Sequence, residues 1–120
     1  MNSSGQNQDL RLLVIFLNKP GCLQDILEVF LELGVAGATV LDSMGMGRIL
    51  AYNIPIFAGL KDAFPSSSPV NKTILVVTES EKIMEIFSAV EEICGSFDEP
   101  GTGLMVALPV MESRGFKSGF

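Results

Sequence analysis

Two short stretches carry glycine and polar residues at spacings that could hold an anion: Gly45-Met46-Gly47-Arg48 and Gly101-Thr102-Gly103. Glycine has no Cβ, so its backbone N–H can approach a phosphate oxygen closely, and successive N–H groups in a turn form an anion nest. Arg48 would add a planar fork for the same oxygens. Glycines also serve plain turns, and Arg48 also fits a solvated surface charge; Gly-x-Gly alone is a weak motif that does not select phosphate binding over these readings. Asp98 and Glu99 form an acidic pair just before the second stretch. Their charge repels phosphate, and adjacent loop residues need not converge on one metal or substrate.

The remaining chemistry is sparse. The chain has no histidine, which removes the commonest general base and metal ligand. Its cysteines are Cys22 and Cys94, at a spacing that matches no zinc pattern. Cys22 falls near a helix start, where a thiol can be activated; the alternative is two small buried thiols in a reducing compartment. The other carboxylates fall mostly on the solvent faces of helices. Neither a metal site nor an enzyme is expected.

At 120 residues the chain fits one domain, and 48% hydrophobic content is enough for a core. The formal net charge is −6 and the eight basic residues are scattered singly. A nucleic-acid binder would present a basic stripe, so DNA and RNA are not expected partners. Residues 1–9, "MNSSGQNQD", read as a disordered tail. The apolar run from Leu10 to Leu17 is far short of a membrane span, and no signal peptide is visible. A cytoplasmic protein without membrane insertion is expected.

The elements that would position these residues follow from hydrophobic period. Leu10–Leu17 reads as a strand and Asn18-Lys19-Pro20-Gly21 as a turn, with Pro20 suited to a first helical turn. Leu23, Ile26, Leu27 and Phe30 give a helix over Cys22–Leu33 that stops at Gly34. Val35–Met44 reads as a second strand and Asn71–Val77, rich in β-branched residues, as a third. Thr78 with Glu81 has the capping-box spacing. The helix after it turns Ile83, Ile86, Phe87, Val90 and Ile93 to the core and ends at Gly95; the last strand is Leu104–Val110. The order is the βαββαβ of a ferredoxin-like α+β sandwich. The domain is expected over residues 10–110, with 111–120 a loosely ordered tail.

Two features of this order call for partners. The first and last strands are apolar on both faces, yet two helices cover only one face of a four-stranded sheet. Another copy of the chain is the expected cover. The connection from residue 45 to 70 is also long, where structureless loops above ~12–15 residues are uncommon. It carries Ile54, Ile56, Phe57 and Leu60, too apolar for a solvated linker. It is either a mobile arm that docks a partner or an extended hairpin with a short helix, Ile56–Ala63, packed on its own surface.

The run "LELGVAGATVLDSMGMGR", a long loop, a strand, a helix, then "GTG" and "VALPV" resemble the PII signalling proteins and their PII-like relatives over Leu10–Val110. The resemblance implies a homotrimer, a cleft between subunits holding an adenine nucleotide (ATP, ADP or AMP), and a long loop that reports this effector to a transporter or enzyme. It implies ligand contacts from Thr39 as the hydroxyl on the second strand, from Gly45, Gly47 and Arg48 at the loop base, from Gly101, Thr102 and Gly103 in the glycine turn, and from Arg114 and Lys117 in the tail. The chain departs from the family pattern at several of these places. Thr102 and Leu104 stand where an acidic residue and a lysine are usual, and Ile49 where a glutamine is usual. Arg114 is one residue out of register, and Tyr52 is not at the position of the modified loop tyrosine, which argues against control by uridylylation.

Three other readings compete with this one, and the first has the same element order. An ACT-like amino-acid sensor is suggested by "NKPGCLQDI", which looks like that family's turn after the first strand, while the long connection and "VALPV" speak against it. An enzyme would have to rest on carboxylates or Cys22. A purely structural trimer without ligand is the third.

Overall fold

A computed structural model describes residues 9–53, 56 and 70–118, with the backbone only at 48, 52, 53 and 70. The expected tail over 1–8, the apolar arm residues Ile54, Phe57 and Leu60, the rest of the Ile56–Ala63 helix and the Arg48 side chain lie outside the described residues.

Four strands form one antiparallel sheet: β1 (Leu10–Leu17), β2 (Thr39–Met44), β3 (Val70–Glu79) and β4 (Gly103–Pro109), in the order β2-β3-β1-β4. Helices α1 (Leu23–Glu32) and α3 (Ile83–Cys94) pack on one face; α2 (Met46–Asn53) follows β2. This is the ferredoxin-like α+β sandwich. Leu13, Ile15 and Leu17 of β1 meet Ile26 and Phe30 of α1, Ile74 and Val76 of β3, and Ile86 and Val90 of α3 in one buried cluster. Each such side chain contributes about 1.5–3 kcal/mol through burial.

The helix ends follow local rules. Gly34 takes φ +77°, Val35 N donates to Phe30 O (2.9 Å) and Gly34 N to Leu31 O (3.1 Å), the paired bonds of a Schellman C-cap. Lys82 Nζ adds a bond to Gly34 O (3.1 Å). Pro20 opens a 3₁₀ turn, Pro20–Cys22, that leads into α1.

Three expectations are corrected. The second strand starts at Thr39, not Val35: Val35 is drawn into the helix cap and the core (3% exposed), so residues 35–38 leave the sheet. The third strand runs through Thr78 and Glu79, because β1 pairs with it along its whole length, Leu10 opposite Glu79 to Leu17 opposite Lys72. Thr78 is therefore a buried strand residue and not a cap. No side chain caps the 3₁₀ turn Ser80–Lys82 that precedes α3, and Ser80 N donates instead to Asp9 O (2.8 Å). The connection after β2 opens as helix α2 rather than as extended chain, with Ile49 N bonded to Gly45 O (3.1 Å) and Ala51 buried.

The sheet face opposite the helices exposes large apolar side chains. It presents Phe16 (39% exposed), Leu41 (47%), Val77 (38%), Leu104 (54%) and Leu108 (44%). Side chains of opposite sense on the same strands form the core, as the two-residue period of a strand requires.

Candidate functional site

The residues singled out in the sequence fall into two groups at different places on the sheet. The first lies where β1 and β2 end and β3 and β4 begin, an edge set by the antiparallel pairing. There Asn71, 5% exposed, donates from Nδ2 to Asn18 Oδ1 (2.8 Å) and accepts at Oδ1 from Ser43 Oγ (2.5 Å). Ser43 Oγ shares a further hydrogen bond with Thr73 Oγ1 (2.6 Å). Asn18 N donates to Thr102 O (3.1 Å). One polar network thus links the strand end before Gly45 to the glycine turn before β4. Buried polar side chains that satisfy one another in this way fix their strand ends in one geometry.

Within the turn, Gly101 (φ +87°) and Gly103 (φ +141°) have backbone conformations that side chains disfavour. A Cβ on Gly103 would lie 2.0 Å from Phe16 O. Thr102 between them is 1% exposed, and its Oγ1 has no hydrogen-bond partner among the described residues. Its hydroxyl faces inward, so an anion at this turn would meet the glycine backbone. Gly45 and Gly47 are half-buried at the start of α2.

The second group surrounds a cavity of about 630 Å³ on the open sheet face. Its floor is Leu12, Leu75 and Val77, one wall is Ala36-Gly37-Ala38-Thr39, and its roof is the chain from Ser113 to Lys117. Thr39, Arg114 and Lys117 therefore share one site; Gly45, Gly47, Gly101, Thr102 and Gly103 do not line it. The charged side chains of the lining are Arg114 and Lys117, both cationic. The ion pairs among the described residues, Arg11–Asp9, Lys72–Asp42 and Lys82–Glu79, use neither. An apolar floor beneath two cations and a hydroxyl suits an organic anion: burial of a flat apolar body on the sheet, with its charged end toward the tail.

The roof, part of the segment expected to be loosely ordered, is anchored on both sides. Val110 N donates to Leu10 O (3.1 Å), Phe116 is half-buried, and Ser118 Oγ donates to Glu79 Oε2 (2.5 Å). The Ser118 hydrogen bond is the largest of several effects that hold the Glu79 carboxyl below its ordinary value. Sequence reasoning missed Asn18, Ser43, Asn71 and Phe116. The signal for the wall was present in the small residues Ala36-Gly37-Ala38, which leave room beside the strand. Among the described residues no group of three His, Cys, Asp or Glu side chains could hold a metal ion, and no helix is long and apolar enough to cross a membrane.

No family model and no curated protein matches the sequence. Solved structures do match the fold. A structure of Arabidopsis thaliana PII bound to citrate superposes with a TM-score of 0.60 at 19% identity, over 86% of this chain and 78% of that one. A protein of unknown function from Pediococcus pentosaceus superposes with a TM-score of 0.62 at 15% identity, over 91% of this chain and 99% of that one. At these identities the likeness is one of fold, and the fold this chain shares with the PII structure is the ferredoxin-like α+β sandwich.

Proposed function

We propose that the chain is a PII-like regulatory protein, not an enzyme, whose effector is an organic anion of the adenine-nucleotide class (ATP, ADP or AMP) bound in the cavity under residues 113–117. The observation that carries this reading is the lining itself: an apolar sheet floor, the Thr39 hydroxyl, and two cations, Arg114 and Lys117, with no carboxylate among the lining residues. The PII structure with citrate, also an organic anion, is consistent with a small anionic effector on this fold.

The working form is a homotrimer. The exposed apolar side chains of Phe16, Leu41, Leu104 and Leu108, which do not line the cavity, support burial against further copies. Assembly would bring the glycine turn and loop base of one copy, with Gly45, Gly47, Arg48, Gly101 and Gly103, toward the tail of the next. The arm bearing Ile54, Ile56, Phe57 and Leu60 would then meet the regulated transporter or enzyme; Ile56, at 83% exposed, is available for that contact. The effector must bind one arm state better than the other for any signal to pass.

The test is thermal stability of the purified protein with ATP, ADP, AMP, citrate and free amino acids. A ligand that binds the folded state alone at one hundred times its Kd adds about 2.7 kcal/mol. A shift with an adenine nucleotide that is lost in R114A/K117A supports the reading. A shift with an amino acid alone would favour the ACT-like alternative, although Pro20 and Gly21 do not line the cavity. Light scattering tests the assembly: a single monomeric species at micromolar concentration overturns the trimer, and L104E is expected to shift the oligomer toward monomer.

A further inference from the structure

The topology places the chain's two cysteines together. β1 and β3 are antiparallel and each leads into a helix on the same sheet face, so the start of α1 meets the end of α3. Cys22 caps the start of α1 and Cys94 is the last residue of α3. Both thiols are free, Cys94 is buried in the core cluster and Cys22 is half-buried against it. Lys19 links the two backbones: Cys22 N donates to Lys19 O (3.0 Å), and Lys19 Nζ donates to Cys94 O (2.9 Å). The pair is separated by most of the chain in sequence and brought to the same end of the helix layer by the fold.

We propose that Cys22 and Cys94 are a modification site that closes to a reversible intramolecular disulfide by exchange with a low-molecular-weight disulfide. The more exposed Cys22 enters first. Its thiolate attacks one sulfur of the small disulfide, forming a mixed disulfide and releasing one small thiolate. Cys94 then loses its proton to the released thiolate or to solvent, its sulfur attacks the Cys22 sulfur, and the second small thiol departs. Two protein thiols are oxidised to one S–S bond and the small disulfide is reduced to two thiols, so electrons and protons balance.

The order of attack has a physical basis. Burial first, then the adjoining Cys22 thiol, pushes the Cys94 thiol up to about 12, with the Asp25 carboxylate acting in the same sense and Lys19 against it. Cys94 therefore stays protonated and unreactive while Cys22 is free. Once Cys22 is a mixed disulfide its thiol no longer adjoins Cys94, so its share of that effect is removed while the share from burial stays.

The bond would also reach the glycine turn. It would join Cys22, directly after the segment Asn18–Gly21, to the end of the helix that feeds Gly95–Gly103, and those two segments are already connected by Asn18 N to Thr102 O (3.1 Å).

The test uses the full chain, reduced, desalted and exposed to a graded series of oxidised and reduced glutathione, then alkylated and weighed intact. The expected result is loss of two hydrogens with no adduct and no alkylation, a Cys22–Cys94 linked peptide on digestion, and a melting temperature raised by on the order of 10 °C. C94S is expected to accumulate one glutathione on Cys22. A wild-type chain that stops at the Cys22 adduct, cross-links between chains, or keeps both thiols alkylatable throughout overturns the proposal. If C94S fails to fold, the linked peptide of the wild-type chain decides alone.

Discussion

Ser118 donates its hydroxyl to the Glu79 carboxylate, Oγ to Oε2 2.5 Å, and so fastens the C-terminal segment to the last residue of β3. The bond closes the roof of the cavity over the sheet. Lys82 Nζ stands 3.7 Å from the other carboxylate oxygen, and Thr78 Oγ1 donates to it at 3.3 Å.

This contact makes the roof sensitive to acid. The Ser118 hydrogen bond, opposed in part by burial, holds the Glu79 carboxyl below its ordinary value of 4.5. A carboxyl lowered in the folded state contributes stability that is complete above the ordinary value and is lost as pH falls through the folded one. The roof residues Arg114–Ser118 are therefore expected to gain mobility as pH drops below about 4.5. Heteronuclear relaxation of the Gly115 and Ser118 amides checks this. In S118A the same amides should be mobile already at neutral pH, with little further change in acid; a roof equally ordered in S118A at neutral pH would mean that the contact does not hold it.

Gly103 is expected to tolerate no side chain. Its φ of +141° is disfavoured for L residues, and an added Cβ would meet the Phe16 carbonyl oxygen at 2.0 Å, a backbone atom that cannot move without disturbing the β1–β4 pairing. G103A is expected to lose about 2–4 kcal/mol, the range of a strained backbone combined with a core clash. Urea unfolding measures it. G37A is the control, because nothing lies within 4 Å of its added Cβ. Equal midpoints for the two variants would contradict the close approach.

The Asn71 side chain ties together ends of three strands, and its loss should loosen the loop base. N71A leaves Asn18 Oδ1 and Ser43 Oγ each without one partner in a site where Asn71 is 5% exposed. An unsatisfied buried polar group costs about 1–3 kcal/mol. Faster amide exchange is expected at Ile49, whose N–H bonds to Gly45 O, with Ile15 and Ile74 in the sheet centre less affected. Uniform acceleration throughout the sheet would show global destabilisation instead.

These particulars also show where the sequence was legible. The apolar spacing of Leu23, Ile26, Leu27 and Phe30, and of Ile83, Ile86, Phe87 and Val90, specified both packed helices, because a helix face is a local property of its own residues. Leu10–Leu17 was readable as a strand for the same reason. The extension of β3 to Glu79 was not, since pairing with β1 overrides the local capping signal at Thr78 and Glu81. Helix α2 was hidden behind Gly45 and Gly47, which read as turn residues, and a mid-helix glycine costs about 1 kcal/mol relative to alanine. At the site, Thr39, Arg114 and Lys117 were singled out through the resemblance alone. The network of Asn18 and Asn71 joins residues 53 positions apart, and no local pattern announces such a pair.

Thr102 separates a structural role of the glycine turn from a direct one. Its Oγ1 is buried without a hydrogen-bond partner among the described residues, an arrangement that costs stability relative to an apolar group of the same shape. T102V preserves the branched shape and removes the orphaned hydroxyl. It is expected to leave stability unchanged or raise it by up to about 1 kcal/mol, measured by urea unfolding. Ligand affinity should be unaffected, since the side chain faces the interior and the turn would act through its glycine backbone. A drop in stability would show that the hydroxyl has a partner, such as a bound water. A drop in affinity at unchanged stability would show that the turn opens on binding and presents Thr102 to the ligand.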